Sequence, residues 1–208
     1  MIVVLVANTK GGCGKTTVST HLAAAFAGAG QRTALADADR QRSSVEWTRL
    51  RPGTAPPIAA LDWSKSLGAA PKGHDRLVID APAAMRKKDV FELVRMADVI
   101  VVPVLPSVFD QGSTVTFLAR LGELKAIRKS RKPVGVLRNR VRPRTRATAR
   151  LAEFLTEIEH ADLGALRDRA IYNDVAAEGL SIFDLPGRRA ARLQEDWAPL
   201  LGYVGAVA

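Results

Sequence analysis

The chain has 208 residues, 47% hydrophobic and only 5% aromatic, a balance that suits one Ala/Val/Leu-rich α/β domain better than a β-sandwich. Lys and Arg number 31 against 21 Asp and Glu, a formal charge of +10, and so basic a chain needs a polyanionic partner. Its one cysteine excludes an intrachain disulfide and a Cys-rich metal site, the three histidines lack short metal-ligand spacing, and no run approaches the ~18 apolar residues of a membrane span.

Strand and helix signals alternate along the chain, the pattern of parallel βαβ units. An apolar run over 2–7 predicts a buried strand, followed by a glycine loop and a helix over 15–29. No basic n-region precedes that run, which reads as a cytoplasmic chain without a signal peptide. Residues 33–36 predict a short strand and 43–50 a helix, and a Pro/Gly/Ala-rich connection leads to an extended piece near 59–63. Strands are then expected over 76–79, 98–103 and 134–137, alternating with helices over 87–96, 110–127 and 145–158. The last third is less periodic, with helices expected around 174–178 and 193–201. The expected architecture is one domain over 1–208, a doubly wound, mostly parallel sheet with helices on both faces and a ligand site beyond the C-terminal strand ends.

Residues 9–17 read Thr-Lys-Gly-Gly-Cys-Gly-Lys-Thr-Thr. Behind a strand and ahead of a helix, such a loop turns successive backbone N–H groups inward, and the helix N-terminus adds positive potential. Gly11, Gly12, Cys13, Gly14, Lys15, Thr16 and Thr17 form a nest for a nucleoside triphosphate. Lys15 reaches the β- and γ-phosphates, and the Thr16 hydroxyl ligates Mg2+. The general pattern asks for glycine where this chain has Thr9, and a second lysine, Lys10, precedes Gly11-Gly12. A lysine facing outward over a polyanion is placed to bridge to a second nucleotide.

This loop resembles the deviant Walker A box of the ParA/MinD superfamily, in which the extra lysine contacts phosphates bound by a partner subunit. The resemblance implies ATP and Mg2+ as cofactors and an ATP-dependent homodimer held through Lys10. The segment Asp37-Ala-Asp39-Arg40-Gln41 resembles the family's Walker A′ box. By that likeness Asp39 orients the attacking water and Asp37 supports the Mg2+ shell. The plain alternative is a carboxylate pair capping the next helix. Arg40 stands where the family commonly has proline, which loosens the turn. Asp80, ending Leu77-Val78-Ile79, resembles a Walker B acid that anchors Mg2+. The family places an asparagine at the adenine edge where this chain has Asn139, although an asparagine closing a strand is also a common turn residue. Residues 103–110 resemble a family segment near the nucleotide and dimer surface, with no catalytic role assigned.

Basic residues concentrate in Lys125, Arg128, Lys129, Arg131 and Lys132, then Arg138, Arg140, Arg142, Arg144, Arg146 and Arg150. With few aromatics among them, base stacking is disfavoured and phosphate contact without sequence readout is expected, as small ParA relatives bind nonspecific DNA. A second cluster, Arg188, Arg189 and Arg192, precedes the C-terminal helix. In MinD-type proteins a basic helix there binds membrane, but Glu195, Asp196 and Pro199 interrupt it here, and packing onto the domain is the stronger expectation.

The resemblance therefore implies a short ParA-like ATPase with Met1 next to its first strand and no room before it for a DNA-reading module. It would be nucleoid-associated, slow alone, and stimulated by a ParB-like or other adaptor to position a plasmid, a chromosomal locus or a protein assembly. A MinD-like membrane-cycling regulator and a small-molecule P-loop ligase are the alternatives.

Overall fold

Alternation explains the sheet. In β1 (Ile2–Val6), Val3 and Leu5 join one hydrophobic cluster while Val4 and Val6 join another, so the strand is buried on both faces. Leu77 and Ile79 against Val78 in β4 (Arg76–Asp80), and Ile100 and Val102 against Val99 and Val101 in β5 (Val99–Val104), divide in the same way. The computed structural model describes residues 1–129 and 132–207, so Arg131 and the terminal Ala208 lie outside it.

The remaining elements are α1 (Lys15–Gly28), β2 (Thr33–Asp37), α2 (Ser43–Leu50), β3 (Ile58–Asp62), α3 (Lys87–Met96), α4 (Val108–Gly122), α5 (Lys125–Arg128), β6 (Val134–Val141), α6 (Arg146–Thr156) and β7 (Ala161–Arg167). They are followed by α7 (Ile171–Ala177), α8 (Arg188–Gln194), a 3-10 turn (Glu195–Trp197) and α9 (Ala198–Gly205). The seven strands run in the order β3-β2-β4-β1-β5-β6-β7, every pair parallel. All C-terminal strand ends therefore share one edge. The chain builds β2 to β4 on one side of β1 and β5 to β7 on the other, which puts the loop after β1 at the switch in direction.

One face is covered by Leu93 of α3, Phe117 and Leu121 of α4, and Leu151 and Leu155 of α6. The other is covered by Val18 and Leu22 of α1, Trp47 of α2, and Trp197, Leu200 and Val204 at the C-terminus. Pro199 begins α9 rather than interrupting it, because a first-turn proline has no intrahelical N–H bond to lose.

Three expectations need correction. The helix expected over 110–127 is two pieces, since Leu124 takes an extended conformation between α4 and α5. β6 runs on to Val141. β7 has no counterpart in the sequence reading: Gly164 sits at φ 91° and register shifts interrupt its pairing with β6, so no alternation survives to mark it.

Candidate nucleotide site and basic surfaces

The loop after β1 takes its shape from glycines where L side chains are strained. Gly12 and Gly14 have φ of 77° and 90°, and a Cβ on Gly14 would also collide with the Asn139 amide. Asn8, buried at the end of β1, holds the loop's entry: its Nδ2 donates to the Pro103 carbonyl at 2.9 Å and to Thr114 Oγ1 at 3.0 Å. The Lys10 carbonyl accepts from Lys15 Nζ at 3.0 Å and from Cys13 Sγ at 3.3 Å, folding the loop around that oxygen. Burial pushes the Cys13 thiol pKa up against the opposing pull of Lys15. No side chain caps α1 and its first turn carries no acid, so the positive end of the helix is left to a ligand.

Strand register brings the carboxylates to this loop. Asp80 lies beside Val6 on one side and Asp37 on the other. Asp80 is buried, and it accepts from Ser44 Oγ at 2.6 Å and Ser19 Oγ at 3.3 Å. Desolvation raises its pKa to about 6, although the Ser44 and Thr16 hydroxyls pull the other way; Asp37 adds to the rise and Lys15 opposes it. A buried acid in reach of Thr16 and Lys15 is a donor set that fits a phosphate-bound divalent cation.

The two acids of the second box separate. Asp37 accepts three backbone N–H bonds, from Ser44 at 2.7 Å, Val45 at 3.2 Å and Asp39 at 3.0 Å. It thus caps α2, and desolvation still holds its pKa above the ordinary value. Asp39 is half-buried in the turn beyond, accepting from the Gln41 N–H at 3.0 Å. Asn139 is buried, and its Nδ2 donates to the Cys13 carbonyl at 2.8 Å while its Oδ1 accepts from the Arg140 N–H. Its amide braces the phosphate loop, a backbone role that sequence reasoning missed. It also missed Asn8, Ser19, Ser44 and Asp110, the last buried with one carboxylate oxygen unpartnered.

The basic run is less free than its sequence suggests. Arg138 pairs with Asp162 at 2.9 Å and Arg142 with Asp168 at 2.7 Å, which fasten β6 and the turn after it to β7 and its exit. Lys132 donates to the Arg95 and Ala97 carbonyls at the end of α3. Arg140, Arg144, Arg146 and Arg150 remain exposed, with no ion pair among the described residues. Arg140 and Arg144 sit at φ 51° and 63°, in the sparsely populated left-handed region. Arg188, Arg189 and Arg192 converge with Arg167 and Arg169 on a separate cavity. No described helix is long and apolar enough to cross a membrane.

A family model described as the CobQ/CobB/MinD/ParA nucleotide binding domain matches residues 4–182. The chain is 32% identical over 200 residues to maintenance of carboxysome distribution protein A of Halothiobacillus neapolitanus, covering 91% of this chain and 90% of that one. It is 31% identical over 208 residues to the protein of the same name from Gloeobacter kilaueensis, covering 94% and 90%. The fold superposes on a Cyanothece McdA–ATP complex with a TM-score of 0.80 at 14% identity, over 99% of this chain and 96% of that one.

Proposed function

We propose that this chain, which belongs to the CobQ/CobB/MinD/ParA nucleotide-binding domain family, is an ATPase that positions a carboxysome-like protein assembly over nucleoid DNA in the cytoplasm. The observation that carries the reading is Lys10 in a phosphate loop of this geometry, in a chain related over nine-tenths of its length to carboxysome distribution proteins.

Gly11 to Thr17 hold the triphosphate through backbone N–H groups and the uncapped end of α1. Lys15 leaves the Lys10 carbonyl to meet the β- and γ-phosphates, and Lys10 reaches the phosphates of a second copy. Bound Mg2+ would neutralise charge on the phosphates, held by Thr16 and Asp80 with Asp37 outside its first ligands. Asp39, free of the helix cap that occupies Asp37, orients the attacking water. Asn139 keeps the loop in register and turns its remaining amide valences toward the adenine edge. The paired form presents two copies of Arg140, Arg144, Arg146 and Arg150 to DNA phosphates, doubling the contacts and so steepening the salt dependence. An activating adaptor on the cargo speeds hydrolysis and releases the dimer locally.

The test is binding of a random-sequence duplex followed by fluorescence anisotropy, beside co-sedimentation with anionic vesicles. ATP should give tight, salt-sensitive DNA binding and ADP only weak binding, with no gain on vesicles. ATP-driven binding to vesicles and not to DNA would replace this reading with membrane cycling.

A further inference from the structure

Two carboxylates meet at the C-terminal edge of the sheet. Asp37 of β2 and Asp80 of β4 are register partners, and they are 0% and 1% exposed. Buried side by side they repel when charged, and each needs donors that fix which way its oxygens face. One residue supplies a donor to both. Ser44, itself fully buried in the first turn of α2, donates its backbone N–H to Asp37 Oδ2 at 2.7 Å and its hydroxyl to Asp80 Oδ2 at 2.6 Å. A serine near a helix start ordinarily spends its hydroxyl on nearby backbone groups. Here α2 is capped from outside, because Asp37 accepts the Ser44 and Val45 N–H groups while Arg42 at the N-cap makes no side-chain bond. The Ser44 hydroxyl is therefore free to reach a strand 36 residues away.

The two oxygens of Asp80 are held unequally. Oδ2 takes the short bond from α2, whereas Oδ1 takes a longer one, 3.3 Å, from Ser19 of α1. Ser19 lies one turn beyond Thr16 on the same face of that helix. Ser44 thus grips the carboxylate by one oxygen and leaves the other turned toward the Thr16 side of the site. We infer that Ser44 is a positioning residue for the divalent cation of the nucleotide site: its hydroxyl sets the rotation of the Asp80 carboxylate, and its N–H ties that setting to Asp37. An acid oriented in advance meets a cation without being ordered at the moment of binding, which is how groups behind the direct ligands raise metal affinity. This role rests on the nucleotide reading above. It concerns use of the metal rather than recognition of the nucleotide, since the hydrogen bonds of Ser44 among the described residues go to Asp37, Asp80 and Thr48 and none to the loop from Gly11 to Thr17.

The test reads binding and not turnover. Affinity for a fluorescent ATP analogue is measured in EDTA and across a Mg2+ titration, and the melting temperature is recorded without metal. Ser44→Ala should bind the analogue in EDTA as the parent does, yet need about tenfold more Mg2+ or above for half-maximal enhancement of binding. Ser44→Thr keeps the hydroxyl and should recover most of that difference. Where Ser44→Ala does not fold, Ser44→Cys carries the test: it keeps the volume with a weak donor and should show the same raised Mg2+ requirement. A parental Mg2+ requirement in the folded variant overturns the inference. So does weakening by the same factor in EDTA and in Mg2+ together with a lowered melting temperature, which is the pattern of a purely structural serine. A parent that binds no ATP analogue at any Mg2+ concentration overturns the proposed function itself, and the role of Ser44 with it.

Discussion

Asn139 and Cys13 stand 126 residues apart in sequence, yet the Asn139 amide donates to the Cys13 carbonyl at 2.8 Å and ties the end of β6 to the phosphate loop. The bond is buried and lies against Gly14, which explains why that position has room for no side chain.

Removing the amide should therefore act before any nucleotide arrives. Asn139→Ala leaves a buried carbonyl unpaired, at a cost of about 1–3 kcal/mol. The melting temperature of the ligand-free protein should fall by several degrees, and ATP affinity should fall with it. A variant that loses ATP affinity while melting as the parent does would confine Asn139 to base recognition.

Asp39→Ala should bind ATP and accumulate as the ATP form, because the phosphate contacts lie elsewhere and only water positioning is lost. Asp37→Ala should behave differently. It removes three backbone acceptor contacts and the cap of α2, so it should destabilise the fold. Parental turnover in Asp39→Ala, measured as phosphate release, would move the water-orienting role to another group.

Much of this site was legible because it is local. The apolar strand, glycine loop and helix from Ile2 to Gly28 follow from contiguous residues, and Asp37 and Asp80 close short apolar runs that read directly as buried strands. What escaped depends on contacts across the sheet. Ser44 and Asn8 gain their roles only when β4, β5 and α4 are brought alongside. β7 escaped because Gly164 and exposed Asp162 break its pattern, and the loss propagated: the partners of Arg138 and Arg142 lie in that strand and just beyond it, so both arginines read as free charge.

The arginines now divide into two groups with different expected phenotypes. Arg144→Glu with Arg146→Glu should weaken DNA binding severely while ATP binding and thermal stability persist. Arg138→Glu should instead destabilise the sheet edge by setting like charges against each other at Asp162. Undiminished affinity of the double variant for random duplex, by gel shift, would take those two residues out of the DNA face.

Buried His21 predicts an acid response. Its pKa sits at about 4, because burial opposes the charged ring more strongly than the Thr17 carbonyl favours it. As pH falls from 6.5 toward 4 the unfolded chain takes up a proton that the folded chain refuses, so stability drops by up to about 3 kcal/mol. Asp80 runs the other way. With a folded pKa of about 6 against 3.8, the native state protonates first, and stability rises as pH falls through that interval. The two largely cancel in the parent. His21→Phe leaves Asp80 unopposed, so its melting temperature should rise relative to the parent between pH 7 and pH 4.5; parallel curves would show that His21 does not resist protonation.

In the proposed function Lys10 joins two ATP-bound copies of this chain across their phosphate loops. Light scattering on size-exclusion chromatography with saturating ATP and Mg2+ reads that dimer. The parent should elute as a dimer with ATP and a monomer with ADP, and Lys10→Ala should remain monomeric while still binding ATP. A Lys10→Ala dimer formed as readily as the parental one would take Lys10 out of the interface, and a parent that stays monomeric with ATP would rule out ATP-driven pairing.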